Sequence, residues 1–199
     1  MLDVSQANEL KLTFRQALRD KGLARELLAV ARRRDLLSPT APWGKKTLKN
    51  LKLGMDPRNG DDFHKVLKAG GFQVSDDASD ILSSPQFTVV TEETKFDLRA
   101  VSIGEVGFNK GATLEQFYDR VKVWGLKKLP LEAGPQLRRQ YKGQPDGEHL
   151  LVATKPIKDS DGNYKLFVVG RRGSKLCLDT YPVKPGQVLS SVCRFVFWR

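Results

Sequence analysis

Only two cysteines, Cys177 and Cys193, and two histidines, His64 and His149, occur in the 199 residues. The cysteines form no CxxC pair and no disulfide framework, and two free thiols are expected. The histidines stand at no fixed spacing from a nucleophile, and no GxSxG, HExxH, Walker or GxGxxG pattern is present. No catalytic residue, metal ligand or cofactor is assigned on this basis, and the chain is not expected to be an enzyme. No stretch approaches the roughly 18 consecutive apolar residues that cross a bilayer. The start, MLDVSQANELKL, lacks the basic opening and apolar segment of a signal peptide. Cytoplasmic localisation and no membrane partner are therefore expected.

The chain does have enough apolar residues for a core, at 40% with 9% aromatics. Its net charge is +11 and unevenly placed. Residues 1–52 carry twelve Lys/Arg against five Asp/Glu, a net of +7. A concentrated basic end favours polyanions, because each phosphate neutralised releases counterions.

Helical spacing predicts helices over 5–20 and 23–37, followed by a loop at SPTAPWG (38–44). Short helices are expected at 45–52 and 61–69, the second opened by Asp61 and Asp62 at the positive end of its dipole. From Phe87 the pattern changes to strands, FTVV (87–90) and FDLRAVSI (96–103). Thr113 and Gln116 form a capping box for a helix to about Trp124. Pro130 opens another, to about Tyr141. After the turn-rich KGQPDGE come only strands: HLLVATKPI, YKLFVVGRR, SKLCLDTY and CRFVFWR.

The loop DSDGN (159–163) has the look of a calcium site but the wrong spacing. Counted from Asp159, glycine falls fourth rather than sixth and the twelfth residue is Gly170. Asp161-Gly162 is better read as a hairpin turn. Residues 44–74, GKKTLKNLKLGMDPRNGDDFHKVLKAGGFQV, are similar to the end of the helix-turn-helix domain in some antitoxin-type repressors. That resemblance implies that Lys45, Lys46, Lys49 and Lys52 meet a DNA backbone. With Arg32, Arg33 and Arg34, the first three of these form the nucleic-acid-binding set of an alternative function.

Four further segments carry a second resemblance: VGFNKGAT (106–113), GPQLRRQY (134–141), KPIKDSDG (155–162) and RFVFW (194–198). Together with the order strand, helix, helix, then strands to the C-terminus, they resemble the C-type lectin fold. More narrowly, they resemble the variable proteins of diversity-generating retroelements. The resemblance spans roughly the last 110 residues. It implies an α+β fold, with a C-type lectin-like domain over 86–199 preceded by a basic helical region over 1–85.

It further implies non-catalytic ligand binding, with a protein as the expected ligand, through a surface altered at adenine positions of the gene. The stretch 177–193 has no hydrophobic period and would be that surface, held by the strand after it. Cys177, Asp179, Thr180, Tyr181, Val183, Leu189, Ser190 and Ser191 are residue types that such change reaches. They are expected to face solvent as one patch, with Lys184 and Gln187 as fixed loop positions.

Overall fold

The computed structural model describes residues 48–199. The helices expected over 5–20 and 23–37 and the loop at 38–44 lie outside the described residues. The path opens with β1 (Lys49–Leu53), α1 (Gly60–Ala69), β2 (Gln73–Val74) and α2 (Asp76–Ser83). It continues with β3 (Thr94–Ser102), a 3-10 turn, β4 (Ala112–Thr113), α3 (Leu114–Lys122) and α4 (Ala133–Gln140). The remainder is β-structure: β5 (His149–Val152), β6 (Ile157–Lys158), β7 (Tyr164–Arg172), β8 (Lys175–Pro182), β9 (Val188–Leu189) and β10 (Arg194–Trp198). The class is α+β.

Local chemistry fixes the helix starts. Asn59 accepts from the Asp62 N–H at 2.9 Å, and Asp61 and Asp62 occupy the first turn of α1. Ser75 caps α2 in the same way. At α3 the expected capping box is present: the Thr113 hydroxyl accepts from Gln116 N, and the Gln116 amide oxygen accepts from Thr113 N. The expected turn at Asp161-Gly162 also forms, with Gly162 at φ 83 in the β6–β7 connection.

The strands form one mixed sheet in the order β1-β3-β10-β5-β7-β8-β2, with β6 added against β7. β10 runs antiparallel to β3 and parallel to β5, in the middle of the sheet. β4 and β9 make a separate two-stranded ribbon. Alternation along a strand sends successive side chains to opposite faces. Phe195 and Phe197 enter a core with Phe117, Tyr118 and Val121 of α3. Val196 enters another with residues of α1, α2 and α4, and Trp198 packs against it. The double apolar face of CRFVFWR thus has cover on both sides.

Several expectations are corrected. Of the segment expected to be helical over 45–52, residues 49–52 lie in β1 instead, with Leu51 and Leu53 buried and Lys52 exposed between them, and residues 45–47 lie outside the described residues. Pairing with β3 from Lys49↔Leu98 to Leu53↔Thr94 outweighs the helical spacing of its leucines. FTVV does not form a strand. Phe87 instead packs edge-on between Phe63 and Phe167, at 6.0 and 6.3 Å. The helix expected from Pro130 begins at Ala133, after a turn in which Ala133 N donates to Pro130 O. Residues 48–85 supply β1, β2, α1 and α2 to the same sheet and core as the other described residues.

Ala133 and Leu137 of α4 join the core, and polar contacts also tie the helix to the sheet. Buried Arg138 donates to Gln144 Oε1 at 2.6 Å and to the Gly170 carbonyl at 2.9 Å. Burial lowers its guanidinium to about 10. Gln140 accepts from Lys52 N at 3.0 Å and donates to Lys52 O at 2.7 Å. Just before the helix, buried Glu132 accepts from Gly54 N at 3.0 Å, Val90 N at 2.8 Å and the Gln136 amide at 3.0 Å.

Gly134 lets this helix approach the sheet. A Cβ there would lie 2.5 Å and 2.6 Å from two ring atoms of Phe167. Gly134→Ala is therefore expected to destabilise by about 1–3 kcal/mol through overpacking. Denaturant melts check this, and a cost under about 0.5 kcal/mol, the range of neutral surface changes, would show that α4 can shift outward freely.

Candidate functional site

β8 stops at Pro182, and Val183 then leads into a tight turn over Lys184-Pro185-Gly186-Gln187. Gln187 N donates to Lys184 O at 3.1 Å, and Gly186 has φ 73. Proline second and a positive-φ glycine third are what a type II turn requires. The Gln187 side chain also accepts from Lys184 N at 2.9 Å, so these two residues fix each other.

This turn forms one wall of a cleft of about 610 Å³. One side of α3 forms the second wall along its length, from its cap Thr113 through Leu114 and Tyr118 to Lys122, and Lys128, Lys155, Pro156 and Tyr164 complete it. Four lysines line the cleft, Lys122, Lys128, Lys155 and Lys184, against two carboxylates, Glu115 and Asp119. Asp119 is paired with Lys122 at 2.7 Å. No ion pair engages Lys128, Lys155 or Lys184 among the described residues.

The cleft floor is aromatic and fixed. Tyr118 is buried and its hydroxyl donates to the Thr154 carbonyl at 3.1 Å. Burial pushes that phenol well above its ordinary range, so the ring stays neutral. Lys128 lies 5.5 Å from the centre of the Tyr118 ring, and Lys158 lies 5.2 Å from that of Tyr164. Both positions place a cation over an aromatic face. The arrangement can attract an anion and offer it apolar surface.

The residues expected to form a solvent-facing patch do not lie together on the surface. Cys177 is 3% exposed, Val183 5% and Leu189 1%. Asp179, Thr180, Tyr181 and Ser191 are half-buried, and Ser190 is exposed. The physical reason is that β8 is a full strand, paired with β7 from Arg172↔Lys175 to Lys165↔Pro182. Alternate side chains must then face a core. Asp179 is engaged as well: burial works to raise its carboxyl, but the Thr180 N–H, the Ser75 hydroxyl and Arg172 outweigh it and hold the group low. Of the eight, only Val183 lines the cleft, where Lys184 joins it.

Of the alternative set, Lys49 begins β1, half-buried and opposite Leu98. Arg32, Arg33, Arg34, Lys45 and Lys46 lie outside the described residues. His64 meets the Ser79 hydroxyl at 3.1 Å, while His149 meets the Gly147 carbonyl at 2.9 Å. Cys177 and Cys193 are free thiols.

The cleft lysines were missed in the sequence because they are scattered from 122 to 184 and come together only through the fold. The one local signal was the turn-forming Lys-Pro-Gly-Gln. Comparison with protein-family models, with curated proteins and with solved structures gave no match.

Proposed function

We propose that this chain is a non-catalytic binding protein on a lectin-like scaffold, and that the lysine-lined cleft takes an anionic ligand. The observation that carries the reading is the convergence of four lysines on one cleft, three of them unpaired among the described residues. The scaffold part is supported by strand order. α3 and α4 lie between β3 and β5, and the C-terminal strand β10 is inserted between those two. The non-catalytic part is supported by the engagement of the polar groups, with the Tyr118 hydroxyl held by Thr154 and Asp119 by Lys122.

Titration of the full chain with inorganic pyrophosphate, followed by calorimetry and amide shifts, tests the proposal. Reversing Lys155 and Lys184 together to Glu should weaken binding at least about tenfold, because two attractions at the cleft become repulsions. Added salt should also weaken it, since these lysines are exposed and screened. Unchanged affinity in that variant, or the same loss on reversing Arg32, Arg33 and Arg34 instead, overturns the cleft reading in favour of polyanion binding by the basic N-terminal residues.

A further inference from the structure

The positive groups of the cleft are strung along it rather than gathered at one point. Thr113, which caps α3, pairs with Val188 in the β4–β9 ribbon, and the Lys184–Gln187 turn directly precedes Val188. Lys184 therefore stands beside the start of α3. At the other end α3 closes with Lys122. The chain then folds back, Leu126 N donating to Val121 O at 3.3 Å, and brings Lys128 to the Tyr118 ring. From this separation of cations we infer that the ligand is a short acidic peptide in extended form, with two carboxylates on residues four apart and uncharged residues between them. The inference rests on the anion-binding reading of the cleft.

Length, charge order and accessible surface carry the argument. At about 1.5 Å per helical residue, Thr113 and Lys122 lie about 13 Å apart along the axis. An extended chain advances about 3.3 Å per residue and returns to the same face at every second one. Side chains at i and i+4 of such a peptide cover that length and point the same way, whereas a pyrophosphate reaches one end only. Between the ends, the α3 wall carries Glu115 and Asp119, both exposed. A single-stranded nucleic acid, with a charge at every nucleotide, would set phosphates against these carboxylates; the uncharged middle of the peptide would not. The surface offered to that middle is open to solvent rather than enclosed. Tyr164 is 40% exposed, Leu114 and Pro156 are half-buried, and Pro185 is exposed. Exposed Lys155 follows Thr154, whose carbonyl holds Tyr118, so it lies between the ends and can donate to a peptide carbonyl.

The test compares two acetylated, amidated peptides of one composition, Glu-Thr-Val-Thr-Glu and Glu-Glu-Thr-Val-Thr, on the full chain by calorimetry and amide shifts. The first should bind at least about threefold tighter, because it makes exposed ion pairs at both ends of the cleft and its isomer at one. It should also shift the amides of both Lys122 and Lys184. Lys184→Ala and Lys128→Ala should each abolish the preference. Equal affinities for the two peptides, with pyrophosphate still bound, overturn the inference and leave the anion cleft standing. A preference that survives either substitution overturns it too, because the peptide then lies elsewhere. A short oligothymidylate that binds as tightly as the first peptide makes the occupant a nucleic acid and also overturns it. If neither the peptides nor pyrophosphate bind, the cleft reading falls and takes the inference with it.

Discussion

Phe195→Ala and Phe197→Ala are each expected to cost about 3–5 kcal/mol, a large part of the stability of a domain this size. Both rings are completely buried, on the strand with neighbours on either side. Their centroids lie 5.0 and 5.6 Å from that of Phe117, and 6.2 and 5.8 Å from that of Tyr118. Truncation removes the transfer energy of a ring, leaves a cavity that the rigid strand cannot close, and loses the aromatic contacts as well. The double variant should cost less than the two losses added, because both rings share the same partners. Urea or guanidinium melts measure all three. A single-variant loss below about 1 kcal/mol would mean that the strand faces solvent, contrary to the arrangement described.

The other large effect is expected at Glu132. Its carboxylate is buried with no ion pair among the described residues, and it collects the Gly54 and Val90 N–H groups and the Gln136 amide. Glu132→Ala strands two backbone donors, each costing about 1–3 kcal/mol to leave unsatisfied, so a total loss of roughly 2–5 kcal/mol is expected. Glu132→Gln should also destabilise, by less, because its NH₂ would point at a donor where the carboxylate had only acceptors. Faster amide exchange at Gly54 and Val90 in the alanine variant would locate the damage. A loss within about 0.5 kcal/mol would show that water or a local shift replaces the carboxylate.

Legibility in the sequence followed the reach of the interaction. Thr113 and Gln116 are three residues apart, and Asp161-Gly162 adjoin, so the signal and the structure it dictates lie in one window. RFVFW could be read because both its faces are apolar, which needs no knowledge of the partners. LKNLKL was misread because Leu48 and Leu51 suit one turn of helix, while Leu51 and Leu53 suit a strand. The contact with β3, more than forty residues away in the chain, selects the second. GPQLRRQY was legible as a motif, but the work of its polar residues was not. Arg138, Gln140 and Gly134 answer to groups on β7 and β1. The stretch 177–193 lacks a period because it is three short pieces in succession, a strand, a turn and half of the β4–β9 ribbon.

The polar residues along the sheet's two outer strands also determine whether the molecule can recruit another copy of itself. An uncovered strand offers a row of free N–H and C=O groups on which a foreign strand can build. On β1, Lys52 has both groups occupied by the one side-chain amide of Gln140, which takes the place of a neighbouring strand. At the opposite margin β2 covers only Cys177 and Leu178. Beyond it the Thr180 N–H is taken by the Asp179 carboxylate at 2.8 Å, and Pro182 has no N–H to give. Asp179 and Thr180, which in the sequence look like residues free to vary, therefore help keep this β-rich chain from polymerising edge to edge.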